Sequence, residues 1–173
     1  MAVERTLAII KPDGTSRNII GEVIARYERA GLRVVALKTV RATPELMKRH
    51  YPDSLAPTLG EKSANAGEEA AKADPVGYGT KVLGWLRAFM SSGPVVPIVL
   101  EGENAVQAAR DITGYTDPSA ARPGTIRRDL STDSILAANK EGRPVKNVVH
   151  ISGNPAEAAQ EIAIWFSKEE LVK

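Results

Sequence analysis

The stretch KNVVHISGNP at residues 146–155 decides the fold of this chain, because it joins an apolar strand to a helix through a histidine. The apolar run ends at His150, one of two histidines in the sequence. Asn154, Pro155 and Glu157 then follow the capping pattern of a helix N-terminus. Such a junction holds an imidazole beside backbone N–H groups and the positive end of a helix, which favour an anion. His150 is therefore predicted to be a nucleophile toward phosphate, and the alternative is a strand-end histidine satisfied by hydrogen bonds.

Outward from this stretch, apolar runs typical of strands alternate with segments of helical periodicity. The predicted strands cover residues 6–10, 32–40, 95–100 and 145–151. The predicted helices cover about residues 19–30, 43–50, 82–90, 104–112 and 154–166. Residues 52–80 have a weak pattern, with one short helix expected near 68–73, and residues 114–130 are expected to form a loop. The alternation predicts a single α/β domain over residues 1–173.

Composition excludes several classes of function. The net charge of +2 over 173 residues is too small for a typical nucleic-acid binder. The absence of cysteine removes disulfides, thiolate catalysis and cysteine-bound metals. No apolar stretch approaches the about 18 residues that span a membrane, and the N-terminal residues lack a secretory pattern, so a cytoplasmic location is expected. The common glycine-rich phosphate loop and dinucleotide motifs are also missing, so any nucleotide would be bound by another route.

Three other polar residues are candidates for the site, and each has an alternative explanation as a solvated charge. Glu161 borders the apolar stripe of the last helix, where its carboxylate would either contact His150 or extend into water. Lys11 follows the first strand, and Arg127 lies in a Gly/Pro-rich loop. Both could bind phosphate, or both could be solvated surface charges. His50 is expected to be a surface histidine at a helix end.

Taken together, seven blocks of sequence resemble one family. The blocks are ERT (4–6), IKPDG (10–14), HY (50–51), SGPVV (92–96), PGTIR (123–127), NVVH (147–150) and EIAIWF (161–166). In this order and combination the chain resembles the nucleoside diphosphate kinase family. The resemblance implies a ferredoxin-like α+β sandwich, in which helices cover a four-stranded antiparallel sheet. It also implies a homo-oligomer, with a hexamer expected.

The resemblance also implies an activity. In this family a histidine, matched here by His150, takes the γ-phosphoryl group of a nucleoside triphosphate such as ATP and passes it to a nucleoside diphosphate in a ping-pong reaction. Glu161 matches the acid that orients this histidine. Mg²⁺ is the expected cofactor, held by the nucleotide phosphates with no metal ligand from the protein. The implied partners are nucleoside tri- and diphosphates, with no membrane and no specific nucleic acid.

Further site residues follow from the same resemblance. Lys11 matches the lysine that meets the γ-phosphate and the ribose 3′-hydroxyl, and Asn147 matches the asparagine on the sugar. The matches to phosphate-binding positions are Tyr51, Arg110, Thr116 and Arg127. Val82 aligns with the aromatic residue that lies against the base, and Tyr78 is the alternative for that role.

The chain departs from the family pattern at two residues and two segments. Ile151 and Gly153 replace the usual glycine and acid after the histidine. Residues 52–80 and 131–145 are longer than the family norm and are expected to be insertions. Two other functions remain as alternatives: a binding member of the same fold without turnover, and a ferredoxin-like nucleic-acid module. The second would need exposed aromatic residues for base stacking, and this chain has few.

Overall fold

The chain forms an antiparallel sheet with helices on both faces in a computed structural model that describes residues 3–172. The strands are β1 (Val3–Ile10), β2 (Arg33–Leu37), β3 (Val40–Arg41), β4 (Pro94–Glu103) and β5 (Val149–Ile151). Their order across the sheet is β2-β4-β1-β5, and every neighbouring pair is antiparallel. The short β3 pairs with the beginning of β4. The expected four-stranded antiparallel sheet and ferredoxin-like α+β fold are confirmed, with β3 as an addition.

Ten helices cover this sheet within the described residues. They are α1 (Pro12–Thr15), α2 (Ile20–Arg29), α3 (Pro44–His50), α4 (Ala56–Asn65), α5 (Glu69–Ala73), α6 (Pro75–Ser91), α7 (Ala105–Thr113), α8 (Ile126–Leu130), α9 (Ile135–Lys140) and α10 (Pro155–Trp165). Single turns of 3₁₀ helix occupy Asp53–Leu55, Pro118–Ala120 and Lys168–Glu170. In the part of the chain that the structure describes, none of these helices is long and apolar enough to cross a membrane.

Alternation along β1 divides the core into two layers. Leu7 and Ile9 face one layer, where the helices α3, α6 and α10 contribute buried apolar residues. Ala8 and Ile10 face the opposite layer, to which α2, α7 and α8 contribute. Successive side chains of a strand point to opposite faces, so one buried strand supplies both layers. All four of these β1 residues are fully buried. As a result, the central strands can carry functional residues at their ends without exposing their apolar side chains.

The weakly patterned residues 52–80 are mostly helical, and the expectation of a largely irregular segment was wrong. They contain α4, α5 and the beginning of α6, which starts at Pro75 rather than near residue 82. Asp74 caps α6, since its Oδ1 accepts a hydrogen bond from the backbone N–H of Gly77 at 2.9 Å. Helices α4 and α6 touch through backbone: a Cβ added to Gly60 would lie 1.7 Å from the carbonyl oxygen of Pro75. Packing on small residues produces little hydrophobic periodicity, so the sequence pattern was weak.

Three other boundaries differ from expectation. The last strand begins at Val149 rather than at residue 145, because Val148 has a φ of 69° and interrupts the extended chain. The predicted loop at 114–130 ends in α8, whose start is capped by Thr125. The segment 131–145 contains α9, which begins at the side-chain cap of Ser134. Short helices of this kind carry too few periodic residues to be recognised from pattern alone.

Candidate active site

A cavity of about 400 Å³ opens beside β5, between α4 on one side and α7 and α8 on the other. His150 lies on its wall. The structure also brings to this wall every residue predicted to bind substrate: Lys11, Tyr51, Val82, Arg110, Thr116, Arg127 and Asn147. Glu161 does not line the cavity but lies behind His150. Residues that are far apart in sequence thus converge on one concave site.

The imidazole of His150 is held by a buried carboxylate. Its Nε2 atom lies 2.8 Å from Oε1 of Glu161, and Ser152 donates a hydrogen bond to Oε2 of the same carboxylate at 2.5 Å. Burial would raise the pKa of Glu161, but the adjacent His150 and these hydrogen bonds hold that pKa below its usual value. An ionised carboxylate can only accept, so the proton of the neutral imidazole lies on Nε2. Nδ1 is then the nitrogen with a free electron pair.

The turn after β1 fixes the chain just before His150. The backbone N–H of Val148 donates to Oδ2 of Asp13 at 2.9 Å, and the backbone N–H of Lys11 donates to the carbonyl of Val148 at 2.8 Å. Together these bonds hold Val148 at its φ of 69°, a conformation that costs free energy for a β-branched residue. Asn147 is anchored on the other side, since its Nδ2 donates to the carbonyl of Thr116 at 2.7 Å. The KPDG turn therefore positions both the asparagine and the histidine.

His50 is not a surface residue, and that expectation was wrong. It is 4% exposed, because α3 packs against α10 and turns its last residue toward the core. Its Nδ1 accepts a hydrogen bond from Nε1 of Trp165 at 3.2 Å, and its ring lies edge-on to that of His150. Burial, and to a smaller extent His150, lower the pKa of His50 from 6.5 to about 3, while Glu161 acts in the opposite direction. His50 is therefore neutral at physiological pH.

Arg127 is oriented by backbone carbonyl groups. Its Nε and Nη2 atoms donate to the carbonyl of Val149 at 3.2 and 2.7 Å, and Nη1 donates to that of Gly114 at 3.1 Å. Burial lowers the pKa of Arg127 to about 10 and that of Lys11 to about 8. Both groups thus keep most of their charge at pH 7, although the protein interior disfavours it. A bound anion would relieve that cost.

The cations on the cavity wall are not in ion pairs with carboxylates of the described residues. Four cationic side chains line it: Lys11, Lys62, Arg110 and Arg127. None of the four forms an ion pair with a carboxylate within residues 3–172. One acid, Glu157, is on the wall with them. A concave site with four unpaired cations is complementary to a ligand with several negative charges, such as a polyphosphate.

The sequence pattern did not predict Lys62 or Glu157 as residues of the site. One face of the segment that includes α4 forms a wall of the cavity, through Leu55, Thr58, Leu59, Lys62 and Ser63. These positions follow the i, i+3, i+4, i+7, i+8 spacing of a helix face, which was the available signal. Burial, then Arg127 and Arg110, lower the pKa of Lys62, and all three side chains line the same cavity. The capping pattern explains a glutamate at position 157, but it does not indicate that this side chain lines a cavity.

Val82 lies on the wall as expected, but Tyr78 does not. Tyr78 is 8% exposed and packs in a cluster with Ala71 and Leu86, and its ring meets the edge of Trp85 at 6.1 Å. It is not among the residues that line the cavity. Its position therefore gives no support to Tyr78 as the aromatic platform for the base. The apolar part of the wall consists of Leu55, Leu59, Val82, Leu86 and Ile135, with Tyr115 at the rim.

Comparisons with known proteins agree with this geometry. A family model described as nucleoside diphosphate kinase matches residues 4–59 and 75–171, leaving 60–74 unmatched, a narrower segment than the expected insertion at 52–80. The chain is 45% identical over 183 aligned positions to a nucleoside diphosphate kinase of Pyrobaculum aerophilum, with all of both chains covered. It is 44% identical over 172 positions to one of Rhodospirillum centenum, with 99% of each covered.

Two solved structures are similar over almost the whole chain. The crystal structure of an NDP kinase from Pyrobaculum aerophilum superposes with a TM-score of 0.93 at 42% identity, covering 99% of this chain and 100% of the other. A transition-state mimic of nucleoside-diphosphate kinase from Borrelia burgdorferi, with bound vanadate and ADP, gives a TM-score of 0.83 at 36% identity. That match covers 99% of this chain and 91% of the other.

Proposed function

The chain belongs to the nucleoside diphosphate kinase family, and we propose that it moves the γ-phosphoryl group of a nucleoside triphosphate to a nucleoside diphosphate through a phosphohistidine on His150. The observation that carries this proposal is the pair formed by His150 and Glu161 at 2.8 Å, placed on the wall of a cavity rich in unpaired cations. The enzyme is a phosphotransferase, and its chemistry follows from these groups.

In the first half-reaction Nδ1 of His150 attacks the γ-phosphorus of the triphosphate. The bond from nitrogen to phosphorus forms as the bond to the bridging oxygen breaks, and the nucleoside diphosphate leaves with that electron pair. The proton on Nε2 stays in place, so the imidazole ring becomes more positive as the reaction proceeds. Glu161, ionised and 2.8 Å away, stabilises that charge. A second diphosphate then attacks the phosphohistidine, and the same steps run in reverse.

Phosphoryl transfer mainly requires that the protein align the reacting groups and supply positive charge, and the cations do both. We assign phosphate binding to Lys11, Arg110 and Arg127, because they line the cavity with His150 and lack carboxylate partners within the described residues. Lys62 joins this set from α4, since it lines the same cavity as Arg110 and Arg127 and interacts with their charges. Tyr51 and Thr116 complete the polar lining.

The rest of the nucleotide would be bound less specifically. Asn147, held by Thr116, is assigned to the sugar together with Lys11. The apolar wall that includes Leu59 and Val82 is assigned to the base. An apolar surface contributes burial without reading the hydrogen-bonding groups of a base, so we expect several nucleosides to be accepted.

A divalent cation belongs to this function, and we propose Mg²⁺. The donor set of the cavity suits it: one carboxylate on the wall is too few for a protein cage within the described residues, but it fits an ion held chiefly by phosphate oxygens. When bound, Mg²⁺ would neutralise charge on the phosphates. The cluster of His50, His150 and Glu161 is a poor alternative site. Nδ1 of His50 already accepts from Trp165, and Nε2 of His150 is already bound to Oε1 of Glu161.

We further propose that the chain acts as a single domain in a homo-oligomer, with a hexamer as the first assembly to test, and that it works in the cytoplasm on free nucleotides. The family membership supports these assignments. A native-mass measurement on the purified protein tests the assembly: a mass of one chain would contradict it.

The activity is tested by incubating the protein with γ-labelled ATP and Mg²⁺. We expect a protein-bound label that is lost in acid and retained in base, as a phosphohistidine should be, and its discharge by added GDP or CDP. His150→Ala should remove the label while circular dichroism shows an unchanged fold. Labelling that persists in this variant would place the nucleophile elsewhere. A native protein that binds ADP but never acquires label would instead support a binding member of the fold.

A further inference from the structure

The cavity contains a charge that the transfer chemistry does not explain. Among the described residues on its wall, Glu157 is the one carboxylate, and it shares that wall with the cations assigned to phosphate. Glu157 interacts electrostatically with Lys62 and with Tyr51, so its negative charge acts on other residues of the site. A carboxylate close to a polyphosphate is repulsive on its own. Its presence is reasonable when a cation lies between the two.

The position of Glu157 is well defined. It projects from the first turn of α10 and bends back over Gly153, so that Oε2 accepts a hydrogen bond from the backbone N–H of Gly153 at 3.1 Å. A Cβ added to Gly153 would lie 2.5 Å from Oε2 and 3.7 Å from Nη1 of Arg110. The carboxylate therefore occupies the space in which a side chain at position 153 would begin.

The second oxygen of this carboxylate remains available. Within residues 3–172, Oε1 of Glu157 has no hydrogen-bond partner, and the carboxylate forms no ion pair. Arg110 is near Gly153 as well, so the free oxygen lies in the region where phosphates are expected to bind. Mg²⁺ prefers oxygen ligands and is commonly held by one or two carboxylates together with substrate phosphates and water. Glu157 matches that requirement.

We propose that Glu157 is the protein's contact to the Mg²⁺ ion of the bound nucleotide, either directly or through a water on the metal. This inference rests on the proposed function. The proposal also explains why position 153 is a glycine, although the resemblance leads one to expect an acid there. The carboxylate comes instead from Glu157, in the first turn of α10, and a glycine at 153 leaves room for it. The competing explanation is that Glu157 only caps the start of α10 by accepting from Gly153.

Glu157→Gln separates the two explanations, because glutamine still offers an oxygen to the N–H of Gly153 but carries no charge. Native protein and variant, each saturated with ADP, are titrated with Mg²⁺ by calorimetry and with Mn²⁺ by electron paramagnetic resonance. We expect the variant to lose about tenfold or more in metal affinity, with ADP binding in the absence of metal retained and the melting temperature unchanged. Glu45→Gln, a first-turn acid of α3 outside the cavity, is the matched control and should behave as native.

The second test moves the acid from position 157 to position 153. Gly153→Asp combined with Glu157→Ser should recover most of the metal affinity that Glu157→Ser alone loses, since the charge returns to the same space. Unchanged metal affinity in Glu157→Gln would overturn the inference, and so would failure of the relocated acid to restore it in a folded protein. Native protein that gains no phosphohistidine from labelled ATP would instead refute the proposed function, so the two failures are distinguishable.

Discussion

The imidazole ring of His50 packs edge-on against that of His150, with centroids 4.5 Å apart and planes inclined at 80°. His50 is in turn held by the indole N–H of Trp165, which donates to its Nδ1. A neutral, hydrogen-bonded ring therefore supports one side of the proposed nucleophile, and Glu161 fixes its Nε2 from another. Rigid support of this kind restricts the imidazole to one orientation without adding charge to it.

Replacing His50 by leucine should weaken both the fold and the reaction. The buried indole N–H of Trp165 would lose its acceptor, which costs about 1–3 kcal/mol of unfolding free energy. Phosphorylation of His150 should also slow, because its ring is less well supported. Urea unfolding and rapid-quench labelling measure the two effects. A variant with native stability and native rate would show that this ring contact is incidental.

The same residue predicts a pH dependence of stability. The pKa of His50 falls from 6.5 to about 3 on folding, so the unfolded chain binds its proton more readily than the native protein does. Its contribution to stability is fully present above pH 6.5 and is lost as the pH falls toward 3. Urea midpoints measured across this range should decline for native protein and decline less for His50→Leu. Parallel curves would contradict the assignment.

Glu161→Gln tests the charge behind the nucleophile. Glutamine can still accept a hydrogen bond from Nε2 of His150, but it cannot offset the positive charge that forms on the ring. We expect phosphorylation to slow by about 10- to 100-fold, the effect of a hydrogen bond to a charged group. Glu169→Gln, on an exposed turn near the C-terminus, is the control. Equal rates for native protein and Glu161→Gln would exclude an electrostatic role.

Arg127→Lys tests the value of a bidentate cation held by carbonyl groups. Lysine keeps the charge but cannot bind both Val149 and Gly114 while facing phosphate. We expect kcat/KM to fall by about 10- to 100-fold, with a larger loss in Arg127→Ala. Steady-state kinetics and melting temperatures on both variants separate lost catalysis from lost stability. A lysine variant as active as native would show that point charge alone is sufficient.

The pKa of Lys11 should set an upper pH limit for catalysis. Burial lowers its pKa to about 8, although the nearby Asp13 opposes that effect. As the pH rises through this value the free enzyme loses the charge, so kcat/KM should fall by about tenfold per pH unit beyond it. Lys11→Arg should keep its charge and move the break to higher pH, at some cost in rate. A profile for native enzyme that stays flat to pH 9.5 would contradict this role.

Lys62→Met should weaken nucleotide binding in proportion to the number of phosphates. Lys62 lines the cavity together with Arg110 and Arg127, so we expect the dissociation constant for ADP to rise by about tenfold and that for adenosine to change little. Lys72→Met serves as the matched control, because Lys72 lies on α5 and is paired with Glu69. Calorimetric titration measures these constants. Equal losses for ADP and adenosine would point to a packing defect instead.

The strands, most of the helices and the residues that converge on the candidate site were predictable because their signals are local. Apolar runs mark β1 and β4, and capping residues mark α3 and α10 within three or four positions. Within the segment 52–80, the short helix expected near 68–73 is confirmed as α5 (Glu69–Ala73), but α4 and the beginning of α6 were not expected. These two helices pack through glycine, as Gly60 shows against Pro75, and a small residue leaves no periodic trace in the sequence.

The sequence by itself determined the chemistry available to this protein: a histidine at a strand end, an acid in the following helix, a lysine after the first strand, and several arginines. Only the tertiary structure decided which residues meet. It buried His50 against His150, brought Lys62 from α4 to the same cavity as Arg127, and folded Glu157 back over Gly153. The physical reason is that strand, turn and cap signals lie within a few neighbouring residues, whereas a cavity depends on the packing of segments that are as many as 135 residues apart.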